Sequence, residues 1–97
     1  MKEYEFEVTE SDVAKAMELL ASPPYLTLSM YCPVALALKR ATGEQGVYAR
    51  RSLARVRGRD FAYEDPGRVA YFMTWFDNDQ YGERPLLPLK SRIRSLK

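Results

Sequence analysis

The chain predicts an α+β domain: a small, mostly antiparallel sheet of about four to five strands with three helices, in the order β-α-α-β-β-β-α-β. Three observations lead there. Residues 3–8 alternate strictly between acidic and apolar side chains, the period of a half-buried strand. Residues 30–43 contain a start signal, an apolar body and a stop signal, which together read as a short buried helix. Residues 53–64 return to period two on either side of Gly58, as a hairpin does.

Each element has its own local cause. In the first strand Glu3, Glu5 and Glu7 take one face and Tyr4, Phe6 and Val8 the other. Thr9 with Asp12 resembles a capping box, and Val13, Met17, Leu20 and Ala21 form one stripe of a helix over about 10–21. Ser22-Pro23-Pro24 stops it, and a loop runs to Tyr31. The next helix occupies about 33–41. Pro33 suits its first position, where a missing N–H costs nothing; Lys39 and Arg40 fall in the last turn, and Gly43 ends it in a left-handed conformation. Val34 to Leu38 have no polar face, so core surrounds them.

From residue 47 the pattern is that of strands. One is predicted near 46–50, with a bulge at Arg51-Ser52. Ala54 and Val56 then alternate with Arg55 and Arg57, and Phe61 and Tyr63 with Asp60, Ala62 and Glu64. This is a hairpin of roughly 53–57 and 60–64 with its turn at Gly58-Arg59. Asp65-Pro66 is a cap followed by proline at the first helical position. Val69, Phe72, Met73 and Phe76 give the core stripe of a helix over about 66–77. A short strand around 86–90 follows, restricted to a sheet edge by Pro88. Residues 1–90 are expected to form a single domain, and 91–97 a basic, frayed C-terminal tail.

The 97 residues suffice for one modest core, and their aromatic content argues for a folded globule. No apolar run approaches the roughly 20 residues that span a bilayer, and the N-terminus, alternating in charge, does not read as a signal peptide. One cysteine excludes an internal disulfide and suits a reducing compartment, so the expected location is cytoplasmic. Net charge is +2, but it is unevenly spread. Acids dominate residues 1–20 and 60–83; bases dominate 21–59 and the stretch from Arg84 onward. Blocks of alternating sign favour internal pairing as much as an external polyanion.

Around the Cys32–Leu38 segment the chain resembles a group of small proteins common in phage genomes and also found in bacteria. They share a Cys-Pro-(Val/Ile)-Ala-Leu-Ala-Leu helix start, short strands, a helix of the type Val-x-x-Phe-(Ile/Met)-x-x-Phe-Asp and a last strand containing proline. The matching residues are Cys32 to Leu38, then Val69, Phe72, Met73, Phe76 and Asp77, then Pro85 or Pro88, within about residues 30–90. The glycine usual after Phe-Asp is replaced by Asn78-Asp79. The resemblance implies no particular activity. It implies a context: a phage-type accessory protein in a bacterial host cell, the class from which inhibitors of host defence and host enzymes are drawn, anti-CRISPR proteins among them.

Four constellations are candidates for function. Cys32 lies at a helix N-terminus, where orphan N–H groups stabilise a thiolate and can receive a small anion. Yet the chain has no histidine to act as its base, and His and Cys together supply a single ligand for a metal. The bland reading is a buried cap. Arg50, Arg55, Arg57 and Arg59, with Arg51 nearby, form a stripe able to grip an acidic protein surface or a nucleic-acid backbone. Its bland reading is pairing with Glu3, Glu5 and Glu7 across strands. Tyr71 and Trp75 share a flank of the last helix at (i, i+4) spacing and are residue types enriched at binding hot spots, unless the loop from 78 to 88 or the first helix covers them. Residues 77–82 match the opening of a calcium loop, but Tyr81 and Pro88 stand where ligands belong, which leaves a turn after the helix. Paired catalytic carboxylates and phosphate-binding glycine loops are missing, so the expectation is a non-enzymatic protein without cofactor or metal. It would bind a host protein, such as a defence nuclease or its complex, through Arg50, Arg55, Arg57, Arg59, Tyr71 and Trp75. The alternatives are a nucleic-acid-binding regulator using the same arginines, and a binder of a small anion at Cys32.

Overall fold

In the computed structural model, residues 2–21, 23, 26–78, 80 and 82–96 are described. The expected helix stop at residues 22–24, positions 79 and 81 of the 77–82 loop, and Lys97 fall wholly or partly outside them. The order of elements is β1 (Glu3–Val8), α1 (Glu10–Leu20), α2 (Leu28–Tyr31), α3 (Pro33–Thr42), β2 (Val47–Ala49), β3 (Leu53–Val56), β4 (Arg59–Tyr63), α4 (Pro66–Asp77) and β5 (Leu89–Ser95). The fold is α+β, as predicted. The five strands form one antiparallel sheet in the order β1-β5-β4-β3-β2.

Helix α3 is the centre of the molecule. It packs against both β1 and β2, the two edges of the sheet, so the sheet curls around it. Its limits follow from the local signals: Cys32 Sγ accepts from the Ala35 N–H at 3.5 Å, Pro33 opens the first turn, and Gly43 closes it at φ +73° with its N–H on the Lys39 carbonyl at 2.8 Å. Val34, Ala35, Ala37 and Leu38 are buried against a single core that runs from Phe6 to Ile93.

Around α3 the predicted elements hold with local corrections. The capping box of α1 is closed from both sides: the Asp12 N–H donates to Thr9 Oγ1 at 3.2 Å, and the Thr9 N–H to Asp12 Oδ2 at 2.9 Å. The buried stripe of α1 is Val13 and Ala16, with Leu20 partly buried, whereas Met17 is exposed. The loop before Tyr31 contains one helical turn, α2, too short to leave a period in the sequence. Arg51-Ser52 is no bulge; with Arg50 it forms the turn joining β2 to β3, closed by the Arg50 N–H on the Leu53 carbonyl at 2.9 Å. The β3–β4 turn is Arg57-Gly58, one residue earlier than expected, with both residues at positive φ (51° and 78°) as a type I′ turn requires. Asp65 does not cap α4; its carboxylate accepts from Arg68 and Ser91, both at 3.3 Å.

The largest correction concerns the C-terminus. Residues 91–95, expected as a basic tail, belong to β5, which lies between β1 and β4 in the interior of the sheet rather than at an edge. Leu89, Ser91, Ile93 and Ser95 face the core, and Lys90, Arg92 and Arg94 the other side. Only two of these inward residues are large and apolar, which left the strand with the composition of a tail. Pro88 precedes the strand, so it removes no donor from the ladder.

Candidate functional site

The helices cover one face of the sheet and leave the other open. This follows from burial: Phe6, Val8, Val47, Ala49, Ala54, Val56, Phe61, Tyr63, Leu89 and Ile93 belong to the core on one face, and Glu3, Glu5, Glu7, Arg55, Lys90, Arg92 and Arg94 stand on the other. On the open face β5 presents its bases directly across from the acids of β1, in the register Glu3↔Arg94, Glu5↔Arg92 and Glu7↔Lys90. Arg92 reaches Glu5 at 2.7 Å, Glu3 at 3.6 Å and Glu64 at 3.7 Å, while Arg94 reaches Glu3 at 3.5 Å. Lys90 lies 3.7 Å from Glu7. The hydrogen bond it donates to Glu5 and the charges of the neighbouring carboxylates push the Arg92 guanidinium above its ordinary value. This half of the face compensates its own charge.

Glu3, Glu5 and Glu7 are thus taken up by β5, and do not neutralise the arginine stripe as its bland reading required. The stripe itself divides. Arg55 stands on the open face, with Tyr48 of β2 opposite it on one side and Asp60 of β4 on the other, the latter bonded at 2.9 Å. Arg50 closes a groove of about 320 Å³ with Tyr48, Ser52, Leu53 and Arg55, and enters no ion pair among the described residues. Tyr48 is exposed there. Arg57 and Arg59 sit at the hairpin end, where they line a different cleft on the helix-bearing side. Arg51 is spent on α4, bonding Asp77 at 2.7 Å and the Thr74 hydroxyl at 3.2 Å. Five arginines close in sequence therefore serve three surfaces.

Tyr71 and Trp75 part company as well. Tyr71 is 49 % exposed and donates its hydroxyl to the Glu83 carbonyl at 2.8 Å, but Trp75 is only 6 % exposed. The indole packs on Phe72, ring centroids 5.7 Å apart, and the segment after α4 returns over it: Arg84 stacks above the ring and pairs with Glu10. Trp75 is a core residue, not a contact residue.

Cys32 is buried, and its surroundings keep the thiol neutral. Burial pushes its pKa up to about 11, with the negative charge of Asp77 adding to the effect and the N–H groups of Ala35 and Val34 opposing it. The small cavity beside it, about 300 Å³, holds Asp77 as well as Arg50 and Arg51. Asp77 repels an anion at that helix end, and Arg51 is already engaged with it. Among the described residues no group of three or more His, Cys, Asp or Glu side chains comes together around a metal position. No helix there is long and apolar enough to cross a membrane.

Sequence reasoning found Arg50 and Arg55 as members of one arginine stripe, and Tyr48 joins them only through the β2–β3 register. It missed Lys2 and Tyr4 as neighbours of Arg57 and Arg59, because that adjacency depends on the strand order, which leaves no local signal. No protein-family model, no curated protein and no solved structure matches this chain.

Proposed function

We propose that the protein is a small non-enzymatic binding module that docks on an acidic surface of another protein through the β2–β3 half of its open sheet face. Tyr48, Arg50 and Arg55 are the contact residues, and the phage-type context makes a host protein, such as a defence nuclease or its complex, the partner. The observation that carries this reading is the asymmetry of the open face: the β1–β5 half neutralises itself, whereas the β2–β3 half offers Arg50 without an ion-pair partner among the described residues, beside an exposed tyrosine. The neutral thiol of Cys32 supports the absence of nucleophilic chemistry.

Tyrosine flanked by arginines also suits stacking of a base with contact to its phosphate. An extended strand would run from that cationic half onto Glu3, Glu5, Glu7 and Glu64, where its phosphates meet carboxylates. A compact acidic patch on a protein avoids this, and is the reading we adopt. The test compares capture from nuclease-treated and untreated host lysate by the native protein and by Arg50→Glu and Tyr48→Ala. Loss of one nuclease-resistant partner in both variants is the expected result. Capture unaffected by either substitution would refute the proposed face, and capture abolished by nuclease would favour nucleic acid.

A further inference from the structure

A second cleft, unrelated to the open face, lies on the helix-bearing side where β1 begins and the β3–β4 hairpin turns. It encloses about 410 Å³ and is lined by Lys2, Tyr4, Glu44, Arg57, Arg59 and Phe61, with Val56. The strand order makes it. Only β5 separates β1 from β4, so the Tyr4 and Phe61 rings meet over it with centroids 5.9 Å apart, tilted by 55°. Tyr4, half-buried, forms the accessible apolar floor, and Phe61, buried, backs it. Lys2 continues the inward row of β1 and Arg59 that of β4, bringing two cations to the rim, and the turn adds Arg57.

Two features set this cleft apart from ordinary surface. The first is uncompensated charge. Three bases face one carboxylate; Lys2 and Arg59 enter no ion pair among the described residues, and Arg57 reaches Glu44 only at 3.7 Å with its side chain 73 % exposed. So open a pair contributes little and yields readily to a better anion. The second is backbone strain. Arg57 holds φ +51° at the first central position of a type I′ turn, where asparagine, aspartate or glycine is favoured. A non-glycine residue kept in that region at a cost is a mark of functional positions.

We propose that this cleft binds a small molecule of the nucleoside-monophosphate class. Its flat ring lies against Tyr4, which Phe61 supports from beneath, and its phosphate is held by Arg57, Arg59 and Lys2. The volume suits one such molecule. An aromatic floor under a cationic rim matches a ligand with an apolar body and a dianionic end better than it matches bare phosphate.

The experiment is NMR titration of the isotopically labelled protein with adenosine 5′-monophosphate, adenosine and inorganic phosphate in parallel. Adenosine 5′-monophosphate is expected to shift the amides of Lys2, Tyr4, Arg57 and Arg59 saturably, and each half-ligand to bind at least roughly tenfold more weakly. Arg59→Glu should weaken binding by roughly tenfold or more with the fold retained. Arg57→Asn should raise Tm, because it relieves the turn, while weakening binding. Absence of shifts at millimolar ligand, or shifts confined to Tyr48 and Arg55, would overturn the site. Phosphate binding as tightly as the nucleotide would overturn the aromatic half of the proposal. Unchanged affinity in Arg57→Asn would remove that residue from it.

Discussion

Asp12 is buried at the third position of α1, yet it is ionised, because Arg40 and Thr9 serve it at once. Arg40 of α3 donates to its two oxygens at 2.6 and 2.9 Å, Thr9 contributes its N–H, and the same guanidinium also donates to the Glu7 carbonyl of β1 at 2.7 Å. Burial alone would raise the Asp12 carboxyl; the Arg40 hydrogen bonds and charge, with those from Thr9, outweigh it and hold it below its ordinary value of 3.8. The resulting stability is present above that value and lost as pH falls through the lowered folded one. Asp12→Asn should therefore cost about 1–3 kcal/mol at neutral pH, and its deficit should shrink on acidification, as read by urea denaturation at pH 7 and pH 3. Cys32 works in the opposite direction. Its folded value of about 11 lies above the ordinary 9.0, so the contribution from burying the neutral thiol is full below pH 9.0 and lost as pH rises through about 11. Its reaction with a thiol reagent at pH 8 should be slow in the native protein and become fast only in denaturant. Rapid native labelling would mean that the helix start is open. The Tyr63 hydroxyl is buried without a hydrogen-bond partner among the described residues, so Tyr63→Phe should change stability by less than about 1 kcal/mol in thermal melts.

At the scale of elements, α3 and β5 show what makes an element legible. The signals of α3 are local: Cys32 and Pro33 at one end, Gly43 at the other, five apolar residues between. No distant partner is needed to read them. In β5 the local signal misleads, since Lys90, Arg92 and Arg94 alternate with residues of which only Leu89 and Ile93 are large and apolar. What makes this segment a strand is β1, whose Glu3, Glu5 and Glu7 stand opposite those bases from the far end of the chain. Deleting residues 91–97 should therefore remove the strand that joins β1 to β4, and with it cooperative unfolding and the near-ultraviolet dichroism of the packed aromatics. A shortened chain that still unfolds cooperatively would contradict the interior position of β5. Helix α4 fails in a smaller way. Tyr71 and Trp75 share a flank by spacing, but the segment after α4 lays Arg84 over the indole and leaves the phenol outside.

Over the whole molecule, the charge blocks seen along the chain become two kinds of surface. Acidic residues 3–7 and basic residues 90–94 annihilate each other on the open face, and the arginines of 50–59 distribute over the groove beside Tyr48, the rim around Tyr4 and the contact with Asp77. Arg92, surrounded by Glu3, Glu5 and Glu64, is the centre of the neutralised half. Arg92→Glu should lower Tm at low ionic strength by more than it does near 1 M salt, where the screening length falls to about 3 Å. An equal loss at both would show that packing, not charge, holds the β1–β5 pair. The sequence by itself determined the fold class, the α3 helix with both its ends, the hairpin to within one residue of its turn, and the inward and outward sense of β1, β3 and β4, because caps, turns and side-chain periods act within a few residues. Only the tertiary structure decided the strand order, the central place of β5, the burial of Trp75 and the division of the arginines among three surfaces. Each of these rests on contacts between segments far apart in the chain, where pairing and packing choose among arrangements that local preferences leave equal.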